Sequence, residues 1–262
     1  MTSTKREKIF AAAGMLAALS CAAQEPGKAK PEDTEVWSPV PARVVPAAPG
    51  KAPSDAVVLF DGRDLSQWES TAEPGRPAGW TVANGVFTVR AGSGNIQTRR
   101  RFTDYQLHLE WRVPADIGGS GQGKGNSGLF LASTGRGDAG YELQILECAD
   151  NSTYANGQAA SIYKQHIPLV NACAAPGEWQ TYDVIWTAPR FTPAGALDTP
   201  ARVTALHNGV LVQHHVALQG ETVYIGTPSY HQHGAAPIKL QDHGNPVGFR
   251  NIWVRPLEQP VR

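Results

Sequence analysis

Between Tyr105 and Val113 the chain alternates without interruption. Tyr105, Leu107, Leu109, Trp111 and Val113 are apolar, and Gln106, His108, Glu110 and Arg112 between them are polar. Successive side chains of a β-strand point to opposite faces, so this period of two predicts a strand with one face in a core and the other toward water or ligand. Two other stretches, Trp80 to Arg90 and Arg202 to Gln213, carry Asn84-Gly85 and Asn208-Gly209 at their middles. Asn-Gly supplies the two positive-φ residues of a type I′ turn, whose twist matches paired strands, so both stretches are predicted to be β-hairpins.

From Ala56 onward the same texture continues as strand-sized apolar pieces bounded by turn residues, and no helix longer than about two turns is indicated. In Tyr141 to Glu147 the alternation puts Tyr141, Leu143 and Ile145 on one face and Glu142 with Gln144 on the other. Near the C-terminus Ile238 and Leu240 oppose Lys239, Gln241 and His243, and a last strand is expected from Phe249 to Arg255. Many short antiparallel strands without helical crossovers predict an all-β sandwich of jelly-roll type. The 27 glycines and 20 prolines suit its turns, and 7 Trp, 7 Tyr and 7 Phe can fill its core. No internal repeat supports a propeller or solenoid.

Ahead of this domain, Lys5, Arg6 and Lys8 precede an apolar run from Ile9 to Leu19, followed by Ser20, Cys21, Ala22 and Ala23. That is the layout of a secretory signal, too short for a permanent membrane span. The expected organisation is a signal peptide over 1–23, a Pro/Ala-rich leader over 24–55 and one β-sandwich over 56–258, in an exported periplasmic or extracellular protein. Cys21 also resembles the cysteine of a lipoprotein box, which would be lipidated, so contact with a membrane is expected only through that residue. Trp37, an aromatic in a polar leader, is expected to dock on the domain. Cys148 and Cys173 remain in the mature chain, either paired in an oxidising compartment or buried as free thiols.

Acidic and basic residues balance at 23 each, which gives no field to hold nucleic acid and points to a neutral small-molecule partner such as a sugar. Glu110, Glu142, Gln144 and His243 stand on polar strand faces that a curved sheet could gather into one cleft, or they are ordinary solvated residues. The run Gly118 to Gly128 lacks the Walker pattern, because Lys124 precedes Gly125 rather than Ser or Thr, and reads as a flexible loop at a cleft rim ending in Asn126 and Ser127. His214-His215 and His231-Gln232-His233 read as surface residues. No cofactor and no metal ligand set is assigned, although a Ca²⁺ loop site would leave little signature. No G-x-S-x-G elbow supports a serine nucleophile.

The pieces VVLFDGRDLSQW (Val57 to Trp68), YQLHLEWRVP, GNSGLFL (Gly125 to Leu131), YELQILE, PGEWQTYDVIW (Pro176 to Trp186), LHNGVLVQ and LQDHGNPVGFRNIWVRPL (Leu240 to Leu257), taken in series, resemble the 3-keto-disaccharide hydrolase family. The resemblance implies a concanavalin A-like lectin/glucanase sandwich and activity on glycosides carrying a ketone at C3. It marks Glu110, Asn126, Glu142, Gln144, Asp242 and His243 as the polar motif positions. Of these, Glu142, His243 and Glu110 are the catalytic candidates, with Glu142 or His243 as base, and Asn126, Gln144 and Asp242 are the substrate-binding candidates. The reaction is hydrolysis, or elimination and hydration across C1 and C2. A non-catalytic carbohydrate-binding module on the same fold is the alternative, and a conventional glycosidase the third.

Overall fold

The computed structural model describes residues 29–48 and 50–257, so the expected signal segment and Cys21 lie outside the described residues. Residues up to Pro41 form one unit and Ala42–Val261 another. In the first, a single 3₁₀ turn spans Pro31–Thr34. Within this unit Trp37 is 82% exposed, and its indole N–H donates to Glu35 at 3.0 Å.

The second unit is built from short strands. In chain order they are β1 (Val57–Phe60), β2 (Trp68–Ser70), β3 (Thr81–Ala83), β4 (Val86–Thr88), β5 (Ile96–Thr98), β6 (Tyr105–Arg112), β7 (Ser127–Ser133) and β8 (Gly140–Ile145). Then follow β9 (Gln180–Thr187), β10 (Arg190–Phe191), β11 (Leu197–Thr199), β12 (Arg202–His207), β13 (Val210–Ala217), β14 (Lys239–Leu240) and β15 (Gly248–Pro256). An eight-stranded sheet has the order β13-β12-β9-β6-β15-β4-β3, with β1 also on β15, and a five-stranded sheet has the order β2-β5-β14-β7-β8. All pairings are antiparallel.

Both Asn-Gly hairpins form, joining β3 to β4 and β12 to β13, with φ of 53° and 77° at Asn84 and Gly85 and of 51° and 78° at Asn208 and Gly209. The strand from Tyr105 is β6, and its apolar members are buried in a core between the two sheets. Aromatic rings dominate one end of that core, where Phe87 meets Phe60 edge-on at 4.7 Å and Phe249 in a stack at 5.4 Å.

Two buried tyrosines tie the layers together. Tyr105 on β6 donates its hydroxyl to the Leu131 carbonyl of β7 at 2.5 Å, and Tyr182 on β9 donates to the Gln144 carbonyl of β8 at 2.7 Å. Each hydroxyl satisfies its hydrogen bond inside the core, which fixes the height of the small sheet over the large one. Cys148, just after β8, forms a disulfide with Cys173, resolving the two readings left open by the sequence.

Candidate functional site

Alternation along β8 sends Tyr141, Leu143 and Ile145 into the core and leaves Glu142 and Gln144 on the outer face of the five-stranded sheet. The register then lays out that face as rungs. Glu142 pairs with Phe130 of β7, and Phe130 pairs with Lys239 of β14. One rung over, Gln144 pairs with Gly128, and the Gly128 carbonyl accepts from the Gln241 backbone N–H at 3.0 Å. Side chains two residues apart on a strand share a face, so Lys239 with Gln241 and Glu142 with Gln144 flank the central strand β7.

At the centre of this grid Gly128 has no side chain. A Cβ there would overlap the Glu142 carboxylate, which leans over the vacated space. The result is a cleft of about 470 Å³ lined by Glu142, Gln144, Asn126 and Gln241, with His243 and a set of tyrosines at its edge.

Glu142 is the unusual group in it. The residue is 5% exposed, and no hydrogen bond engages its carboxylate among the described residues. Burial pushes its pKa up to about 8; the Asp138 charge adds to the rise and Lys239 opposes it. Its backbone is firmly held, donating to the Thr222 hydroxyl at 2.9 Å and accepting from the Tyr163 N–H at 3.1 Å. A fixed, desolvated and unpaired carboxylate is what a general base working near neutral pH requires.

Lys239 is fully buried. Its ammonium donates to the carbonyls of Gly137 at 2.8 Å and Ala139 at 2.6 Å, and lies 4.6 Å from the centre of the Phe130 ring. It therefore pins the loop between β7 and β8, which carries Asp138 into the cleft. Burial lowers the Lys239 pKa to about 8, against the pull of Asp138, Glu142 and Glu221.

Gln144 is equally constrained. Both its amide protons are used within the protein, toward Gln122 Oε1 at 3.3 Å and Asn126 Oδ1 at 3.1 Å, so its own side-chain oxygen is what it can offer a ligand. Asn126 donates to the Gln122 carbonyl at 2.7 Å, and Gln122 is anchored to Thr153 at 2.9 Å and to the Gly157 carbonyl at 2.8 Å. The glycine-rich run does stand at the cleft rim, held by Lys124 to the Asp150 carbonyl and by Gly121 N–H to Asn151.

In the segment that Gln122 holds, Tyr154 shares a hydrogen bond of 2.5 Å between its hydroxyl and that of Tyr163. Lys164 lies 4.3 Å from the Tyr224 ring centre and donates to the Tyr224 carbonyl at 2.8 Å. Tyr224 is 69% exposed, which leaves an aromatic face open at the entrance.

Of the residues expected at a site, Glu142, Gln144, Asn126 and His243 come together here, His243 as an exposed rim residue. Two do not. Glu110 lies on β6 of the eight-stranded sheet, where Arg250 donates to it at 2.5 Å and Asn251 at 2.8 Å. Those partners hold its pKa below the usual carboxylate value although burial opposes them. Both oxygens are engaged, so the expectation of Glu110 in the same cleft is corrected: it belongs to a network with His108, Asp183 and Asn251 on the other layer. Asp242 is not among the residues that line the cleft, and its two carboxylate oxygens accept from the Gly94 and Gly244 N–H groups at 2.9 and 3.0 Å.

Sequence reasoning did not mark Gln122, Tyr154, Tyr163, Thr222, Tyr224, Lys239 or Gln241 as site residues. Lys239 and Gln241 carried a usable signal, since their alternation with Leu240 already put them on a polar face. The tyrosines and Thr222 stand in irregular segments with no period to read.

Residues 55–255 match the family described as a 3-keto-alpha-glucoside-1,2-lyase-like domain. A 3-keto-disaccharide hydrolase of Bacteroides thetaiotaomicron is 25% identical over 248 residues, covering 77% of this chain and 78% of that protein. A crystal structure from Parabacteroides distasonis ATCC 8503, provisionally named a glycosyl hydrolase, is 49% identical with a TM-score of 0.81, covering 87% of this chain and 97% of that one. A second so-named structure from the same organism is 19% identical with a TM-score of 0.55, covering 78% and 94%, and shows the shared fold alone.

Proposed function

Because the chain belongs to the 3-keto-alpha-glucoside-1,2-lyase-like family, and so is an enzyme of that carbohydrate-active group, we propose that it cleaves 3-keto-glycosides by elimination and hydration with Glu142 as the base. The observation that carries this reading is the Glu142 carboxylate, buried and unpaired over the space that Gly128 leaves open. A ketone at C3 makes the C2 proton acidic. Glu142 removes that proton, the charge spreads onto the C3 oxygen, and the C1–O bond breaks as the C1=C2 double bond forms. The departing oxygen takes a proton from solvent at the open rim, where His243 stands, and water then adds its hydroxyl to C1 and a proton to C2. Gln144 and Asn126 hold sugar hydroxyls, and Tyr224 offers a face for the second sugar or other leaving group.

Export to an oxidising compartment is part of the proposal, supported by the Cys148–Cys173 disulfide and by the signal-like N-terminal sequence. The carbohydrate partner is a 3-keto-disaccharide, as the name of the Bacteroides relative suggests.

A second reading has one observation in its favour. Asp138 lines the same cleft and raises the Glu142 pKa, so Glu142 and Asp138 would supply the two carboxylates of a conventional glycosidase. Against it, Asp138 accepts a hydrogen bond from Asn95 at 2.8 Å. Incubation of the purified protein with a 3-keto-disaccharide and with its unoxidised parent separates the two: consumption of the oxidised sugar alone supports elimination, and equal turnover of both supports the glycosidase. Binding without any product would support a lectin.

A further inference from the structure

A polar side chain of the sheet grid lines the cleft without a hydrogen-bond partner among the described residues. Gln241 is 6% exposed and lines the cleft, yet its side-chain oxygen is buried without a partner and its amide nitrogen makes no hydrogen bond to any of the described residues. Its backbone, by contrast, is fully committed, with the N–H to the Gly128 carbonyl at 3.0 Å and the carbonyl accepting from the Ser127 hydroxyl at 2.7 Å. The buried, unpaired oxygen costs about 1–3 kcal/mol, so a sequence that keeps it gains something from the other end of the amide, the nitrogen, which is not among the buried unpaired atoms.

The position of Gln241 says what. It stands across Gly128 from Gln144, and a sugar ring seated over Gly128 lies between the two amides with Glu142 on the neighbouring rung. Gln144 has spent both its N–H groups and presents only an acceptor, which suits a hydroxyl. Gln241 has both its N–H groups unspent, which suits an oxygen that can only accept. A ketone oxygen is such an atom, and a hydroxyl is not.

Resting on the elimination reading above, we propose that Gln241 is a catalytic residue that recognises the C3 oxygen of the oxidised sugar, donating to the ketone on binding and more strongly to the enolate oxygen as the C2 proton passes to Glu142. No proton leaves Gln241 in this step; it only stabilises charge that develops on the substrate.

The test is Gln241→Leu, measured with a 3-keto-disaccharide for kcat and KM and by thermal unfolding. Leucine comes close in volume and removes the orphan, so Tm is expected to stay or rise. Because the hydrogen bond strengthens in the transition state, kcat is expected to fall by about 10²-fold with KM changed by less than about threefold. A variant with kcat within about twofold of wild type, or one whose activity falls only in step with its Tm, overturns the assignment. If wild-type protein leaves the 3-keto-disaccharide untouched, the elimination reading and this inference fail together. If wild type consumes it and Gln241→Leu does so equally well, the inference alone fails.

Discussion

A methyl group on Gly128 would take the space that the Glu142 carboxylate occupies. The proposed base and the seat beside it are therefore made by one missing side chain on the strand between Glu142 and Lys239.

Glu142→Gln keeps the volume and removes the base, so kcat on a 3-keto-disaccharide is expected to fall by about 10²-fold or more. Stability should move the other way with pH. The folded-state pKa of about 8 lies above the ordinary 4.5, so in that window the folded protein holds a proton that the unfolded chain has released. Wild-type stability therefore falls as pH rises through the window, and above it the full cost of the buried charge is present. Thermal unfolding should find the Gln variant close to wild type near pH 5 and more stable than wild type near pH 8. A Gln variant less stable at both would show that the carboxylate is structural.

The rate should titrate with the same group. An ionised Glu142 is the active form, so kcat/KM is expected to rise with pH and level off above about 8. Lys239 lowers the Glu142 pKa, so Lys239→Met should move that rising limb to higher pH. A limb that stays in place would remove Lys239 from the tuning of the base.

How much of this was legible in the chain depended on period and on turn chemistry. The alternation from Tyr105 and the two Asn-Gly pairs identified strands and hairpins because a core-facing side must be apolar and a type I′ turn needs two positive φ angles. Alternation also gave the faces of Glu142 and Gln144. It could not say which sheet a polar face belongs to, and so Glu110, with an equally polar face on β6, was grouped with Glu142 although the two lie in different layers. Asp242 sits in a loop, where hydrogen bonds to distant Gly94 leave no mark in the local pattern.

The placement of Glu110 carries its own test. Glu110→Gln weakens the bonds from Arg250 and Asn251, so stability is expected to drop by about 1–3 kcal/mol. Denaturant unfolding measures that loss, and kcat/KM should stay within about twofold of wild type when assayed well below Tm. A large loss of turnover without loss of stability would return Glu110 to the chemistry.

Tyr224 stands at the entrance with most of its ring open to solvent. Tyr224→Ala should leave stability within about 0.5 kcal/mol. Loss of a stacking face worth about 1 kcal/mol should raise KM roughly fivefold with kcat little changed. An unchanged KM would place the leaving group elsewhere.

Elimination and direct hydrolysis differ in the fate of one hydrogen, the proton at C2. Turnover of a 3-keto-disaccharide in deuterium oxide, with the released 3-keto sugar examined by mass spectrometry and proton NMR against an enzyme-free exchange control, follows it directly. If Glu142 removes that proton and water returns one during hydration, the product carries solvent deuterium at C2 well above the control, and the unoxidised parent remains intact and unlabelled. Cleavage that leaves the original C2 proton in place would contradict the mechanism.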